Sequence, residues 1–120
     1  MDDHYRQEVG REGEELACNY LQQKGYEVLE RNYRAGKTGE IDIIARRENL
    51  VVFAEVKTRN SEAFGGGIYS ISQAKKKSLK RSAEYYLVKN SEIYTKDITF
   101  RFDLILVHGG KAECVEDILR

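Results

Sequence analysis

The stretch Gly39-Glu-Ile-Asp-Ile-Ile-Ala45, followed after a short polar connection by Leu50-Val-Val-Phe-Ala-Glu-Val-Lys-Thr-Arg59, decides how this chain is read. Both halves are rich in β-branched and apolar residues, the composition of buried strands. Asp42, Glu55 and Lys57 interrupt them. Charged side chains inside apolar strands are costly unless they are paired or bound to a metal. Three of them in one expected hairpin point to a site.

Strand side chains alternate between faces, and residues opposite each other in a ladder share a face. Matching the apolar sets Ile41, Ile43, Ala45 and Leu50, Val52, Ala54, Val56 requires pairings such as Ile43 with Val52 and Ile41 with Ala54. That register gathers Asp42, Ile44, Phe53, Glu55 and Lys57 on the other face, with Asp42 opposite Phe53 and diagonal to Glu55. Two carboxylates so disposed are enough protein anchorage for Mg²⁺, which usually keeps several waters. Lys57 would lie beside the same water and phosphate. The competing explanation is a partly buried ion-pair cluster with no chemistry.

Outward from this hairpin the pattern is regular. Apolar spacing predicts a helix from about Tyr5 to Lys24, ended by Gly25. A strand over Tyr26 to Tyr33 and a turn over Arg34 to Gly39 lead into strands over Glu40 to Arg46 and Leu50 to Lys57. Asn60 to Ser70, with Gly65-Gly66-Gly67, reads as a loop. A second helix is expected over Ser72 to Lys89, then strands over Ile98 to Val107 and about Lys111 to Ile118, joined by Gly109-Gly110. The order α-β-β-β-α-β-β describes an α/β fold, a mixed sheet with helices packed on its faces.

The 120 residues fit one domain spanning 1–120. With 41% apolar and 33% charged residues, the composition is that of a globular protein rather than a disordered or membrane-embedded one. No apolar run approaches the roughly 18–20 residues of a membrane span. The acidic start Met1 to Tyr5 lacks secretory character. Cys18 and Cys114 suit small core positions of a cytoplasmic protein better than a disulfide framework. The net charge of zero hides a gradient: net −5 over residues 1–30, +7 over 31–90 and −2 over 91–120. A basic middle third favours a nucleic-acid partner.

The acidic and lysine positions resemble the PD-(D/E)xK nuclease superfamily, the restriction-endonuclease-like fold. Asp42 matches its first acid and Glu55-Val56-Lys57 its E-x-K element, although Ile41 stands where that pattern has proline. More closely, the chain resembles the YraN-type bacterial family, itself related to archaeal Holliday-junction resolvases. The matching stretches are Gly10-Arg-Glu-Gly-Glu-Glu-Leu-Ala17, Gly25-Tyr26, Asn32-Tyr-Arg34, Gly39 to Ala45, Val52 to Arg59 and Arg101-Phe-Asp103. The resemblance implies a restriction-endonuclease-like core and a helix-one glutamate completing the metal site, here Glu14 in preference to Glu15. It also implies possible action on branched DNA and a homodimer.

On that basis Asp42, Glu55 and Glu14 would hold Mg²⁺ or Mn²⁺, with the Val56 carbonyl as a further ligand. Lys57 would act on the phosphate as a catalytic residue with Asp42 and Glu55. Arg59 falls two positions beyond Lys57 on the same face and could touch a neighbouring phosphate. Gln73 and Lys77, four apart on one helix face, match a phosphate-facing pair in the superfamily. Lys75, Lys76, Lys77, Lys80 and Arg81 put five cations in seven residues, a solvated face or a phosphate-backbone contact. Glu40 should face away from Asp42. The expected function is a metal-dependent DNA endonuclease of repair or recombination. A non-catalytic nucleic-acid- or protein-binding module with the same fold is the alternative, and a structural protein with an incidental charge cluster is the third.

Overall fold

The computed structural model describes residues 3–59, 71–94 and 97–119, excepting the side chains of residues 3–9 and 59. The elements are α1 (Asp3–Gln23), β1 (Glu27–Ala35), β2 (Gly39–Arg47), β3 (Leu50–Arg59), α2 (Gln73–Lys89), β4 (Thr99–His108) and β5 (Lys111–Val115). The five strands form one sheet in the order β1-β2-β3-β4-β5. Neighbours are antiparallel except β3 and β4, which run parallel. This mixed sheet with two helices is the α/β architecture expected from the sequence. The expected loop at Asn60 to Ser70 lies outside the described residues.

The helices end where local chemistry dictates. At the end of α1, Gly25 takes φ +90°, and Gly25 and Tyr26 donate their N–H groups to the carbonyls of Gln22 and Leu21. This is the Schellman arrangement, which satisfies carbonyls the helix leaves open. Ser72 caps α2, its hydroxyl accepting from Lys75 N–H at 3.1 Å. α1 packs Ala17, Cys18 and Leu21 against Ile43, Ala45, Val52, Ala54, Ile105 and Val107. α2 packs Leu79, Ala83 and Tyr86 against Ile41, Ile44, Val51 and Phe53 on the opposite face. The last strand is shorter than expected, because Ile118 leaves the ladder, donates its N–H to the Phe102 carbonyl at 2.8 Å and joins the α2-side core.

The hairpin register differs from the expected one by two residues. Ile43 faces Ala54 and Ala45 faces Val52. The cause is the two-residue turn Glu48-Asn49, closed by Arg47 opposite Leu50, with Glu48 at φ +53°. A shift of two keeps each of these four side chains on its expected face. Ile41 is a true exception, since it packs on the α2 side while Ile43 packs on the α1 side. The adjacent strand breaks in the same place. Asn32 adopts φ +52°, leaving Arg31 paired with Glu15 of α1 while Tyr33 stacks edge-on against Tyr86 of α2. Asparagine tolerates that left-handed conformation better than most residues.

Among the described residues, no helix is long and apolar enough to cross a membrane.

Candidate active site

The break in alternation falls on Asp42. The β2–β3 ladder ends at Ile43 and Ala54, so the next positions along the two strands are Asp42 and Glu55. Asp42 is therefore not opposite Phe53, whose partner is Ile44. Beyond Ala54 the strands fork, and Val56 N–H donates to Asp42 Oδ2 at 2.8 Å. The carboxylate thus takes over a backbone group released by the fork.

β3 continues along β4, with Glu55 beside Leu104 and Lys57 beside Leu106. Its alternation holds here. Glu55 reaches α2, where Lys75 Nζ stands 3.2 Å from Oε2. Thr58 points the other way, to Gly13 of α1. Glu55 is buried, and among the described residues Oε2 has the Lys75 ammonium beside it as an ion-pair partner but accepts no hydrogen bond.

Electrostatics tie the acids together. The Asp42 carboxyl is pushed up from 3.8 to about 7, first by burial and then by the charge of Glu55. The Val56 hydrogen bond pulls it back, Glu14 raises it further, and Lys75 lowers it. Of the two helix-one candidates, Glu14 is thus the one that acts on Asp42, while Glu15 bonds Arg31 at 3.0 Å. Glu40 lies opposite Arg34 and is not among the charges acting on Asp42.

Two glycines bring the helices to this end of the sheet. A Cβ on Gly13 would overlap Thr58 Oγ1 and lie 3.2 Å from Thr58 Cβ, so α1 sits directly on β3 one residue before Glu14. A Cβ on Gly39 would overlap Ser78 Oγ and lie 2.9 Å from Ser82 Oγ, so α2 sits directly on the start of β2.

Lys57 is half-buried and has no ion-pair partner among the described residues. Gln73, Lys77, Lys80 and Arg81 are exposed on α2 and Lys76 is half-buried. Arg59 ends β3 opposite His108, and its side chain lies outside the described residues.

No three His, Cys, Asp or Glu side chains among the described residues already form a metal cage. The fit to a hard divalent cation rests on the Asp42–Glu55 pair. One oxygen of Asp42 remains beyond the Val56 bond, and Glu55 Oε2 is buried and, among the described residues, accepts no hydrogen bond. Carboxylate oxygens are the hard donors that Mg²⁺ or Mn²⁺ takes, and one or two of them are enough when waters complete the shell.

A second buried cluster lies on the α1 side and was not anticipated from the sequence. Asp103, 1% exposed, receives two bonds from Arg101 at 2.8 Å and one from Asp117 N–H at 3.0 Å. Arg101 also donates to Tyr26 Oη at 3.2 Å. Cys114 Sγ stands 3.7 Å from Asp103, and burial with that carboxylate pushes its thiol up to about 12. The signal was present, because Asp103 interrupts an apolar strand as Asp42 does. A cleft of about 560 Å³ lies by Arg47, Asn49, Thr99 and Arg101, at the turn end of the hairpin. The carboxylate pair is at the opposite, forked end.

Residues 13–107 match the model of the "Uncharacterised protein family UPF0102". The matched span holds Gly13, Glu14, Asp42, Glu55, Lys57, Lys75 and Asp103. A UPF0102 protein of Caldicellulosiruptor saccharolyticus is 42% identical over 94% of this chain and 92% of its own length. One of Thermodesulfovibrio yellowstonii is 43% identical over 93% and 96%, and one of Clostridioides difficile 45% identical over 84% and 85%. Identity at this level over most of each chain, with the family model covering α1 from Gly13, all of α2 and the forked strands, agrees with the YraN-type resemblance. The chain belongs to the UPF0102 family.

Proposed function

We propose that this protein is a Mg²⁺- or Mn²⁺-dependent phosphodiesterase that cuts DNA, with branched or junction DNA as the favoured substrate class. The observation that carries this reading is the Asp42–Glu55 pair at the β2–β3 fork, with Glu55 Oε2 buried and, among the described residues, accepting no hydrogen bond. Asp42, Glu55 and Glu14 would hold the cation, with the Val56 carbonyl as a further ligand. The ion, when bound, supplies Lewis acidity toward a phosphate oxygen and makes water a better nucleophile.

The remaining work belongs to the side chains. The Val56 N–H fixes one oxygen of Asp42 and so orients the other. Lys57, two residues past Glu55 on the same strand face, stabilises charge building on the phosphoryl oxygens. Gln73, Lys76, Lys77, Lys80 and Arg81 on α2, with Arg59, supply phosphate-backbone contacts whose strength falls with salt. A second copy of the chain would let two such sites address a four-way junction, as the resolvase resemblance implies.

The Lys75–Glu55 contact favours a second reading, a nucleic-acid-binding module whose carboxylates serve the fold. One experiment separates the two. The protein is incubated with single-stranded, duplex, flap and four-way-junction DNA in Mg²⁺, Mn²⁺ or EDTA, beside Asp42→Ala and Lys57→Ala. Metal-dependent cleavage lost in both variants supports the nuclease. Binding without cleavage on every substrate supports the module.

A further inference from the structure

We infer that Lys75 is an internal counter-ion that a divalent cation must displace from Glu55, so that the site exchanges an ammonium for a metal. The inference rests on the metal reading above and adds a control on it.

Glu55 and Lys75 are unequally placed. The carboxylate side chain is 11% exposed and the lysine 39%. Removing the cation paired with a buried acid leaves an uncompensated charge, which is strongly unfavourable. Lys75 meets that need, at 3.2 Å from Oε2. It does so without a hydrogen bond, as a compact charge on a flexible stem. Nothing directional locks it there.

Its backbone, by contrast, is held. Lys75 N–H is the donor to the Ser72 cap, so the residue is anchored at the start of α2 while its ammonium can swing. No acidic side chain in the first turn of α2 offers it another partner. Asp42 of β2 feels Glu55, Glu14 of α1 and Lys75 together, so three acids are set against one ammonium. A divalent ion drawn to that excess would compete for the same Glu55 oxygen, and charge repulsion would push away an ammonium that no hydrogen bond holds there. The displaced ammonium would then extend the run of Lys76, Lys77, Lys80 and Arg81 toward an incoming phosphate. The same residue therefore balances the charge of the site and lowers its metal affinity.

The test is a calorimetric Mn²⁺ titration of the wild type, Lys75→Met, and Lys111→Met as an equal loss of charge on the exposed β4–β5 hairpin. Lys75→Met should bind Mn²⁺ about tenfold tighter, the scale of effect seen when a neighbour of a metal ligand is changed. Lys111→Met should match the wild type. In parallel, acetylation of wild-type lysines read by mass spectrometry should find Lys75 slow in EDTA and several-fold faster in Mg²⁺, a readout independent of whether any variant folds. Equal or weaker Mn²⁺ binding by folded Lys75→Met, or Lys75 acetylation indifferent to Mg²⁺ while Mn²⁺ binds, overturns the exchange and leaves the metal site standing. No Mn²⁺ binding by the wild type or Lys75→Met removes the metal reading and the exchange together.

Discussion

Gly13 of α1 and Thr58 of β3 meet with no side chain on the helix side, since a Cβ at Gly13 would overlap Thr58 Oγ1. A glycine inside a helix is unfavourable by roughly 0.5–1 kcal/mol relative to alanine. Here the close approach offsets that cost by seating Glu14 at the forked end of the sheet. Gly13→Ala should gain the helix propensity yet lose stability overall, by about 1–3 kcal/mol of overpacking. Urea unfolding measures it, and Thr58→Ala in the same chain should recover part of the loss by removing Oγ1. A more stable Gly13→Ala protein would mean that the helix shifts without strain.

The pH response should run opposite to ordinary acid denaturation. Asp42 sits at about 7 in the fold against 3.8 for a free carboxyl. Between those values the folded state keeps a proton that the unfolded state has released, so metal-free stability falls as pH rises toward 7 and is flat above. Mn²⁺ needs the carboxylate, so its affinity should rise over the same window by up to about tenfold per pH unit and level off above 7. Urea midpoints in EDTA and Mn²⁺ titrations at pH 5.5, 6.5 and 8 check both slopes. Asp42→Asn should flatten the stability slope.

Lys57 should separate chemistry from metal binding. Lys57→Ala should keep the fold and most of the Mn²⁺ affinity while cleavage falls by about 10²-fold or more, the usual cost of losing a charge-stabilising group. Lys57→Arg should not restore it, because a planar fork cannot occupy the place of a compact ammonium. Calorimetry beside single-turnover cleavage reads the two effects apart.

The Arg101–Asp103 pair should matter to stability and not to the site. Asp103→Ala leaves Arg101 half-buried without its bidentate partner and frees Asp117 N–H. A loss of about 3–5 kcal/mol is expected in chemical denaturation. The folded fraction should bind Mn²⁺ as the wild type does, since Asp103 is not among the charges acting on Asp42.

Much of this was legible in the sequence. The charges inside the strands drew attention to Asp42 and Glu55, which the fold brings to adjacent strand positions, and Gly25 marked the end of α1 to within a residue. What stayed hidden depended on contacts between distant segments. The register of β2 against β3 was set by the Glu48-Asn49 turn, which apolar matching alone could not distinguish from a neighbour two residues away. The reversal at Asn32 and Ile41 breaks the rule by which the faces were assigned, so Asp42 looked like a face residue when it closes a fork. Lys75 read as one cation in a solvated run, because nothing local says that Ser72 aims α2 at Glu55. Gly13 carried a usable signal, a glycine within a helical pattern, and Asp103 carried another.

The parallel pairing of β3 with β4 has a consequence for how the site comes into being. β1, β2 and β3 are joined by tight turns and can form early from contacts near in sequence. β4 can reach β3 only after the chain has crossed back by way of α2, because parallel strands cannot be joined by a hairpin. Glu55 and Lys57 therefore emerge on a strand with one open edge, and their cationic neighbour arrives with the crossover. Long-range parallel pairing is intrinsically slow to form, so a nascent chain lacking β4 would have the acids of β2 and β3 without the strand that flanks Glu55 and Lys57.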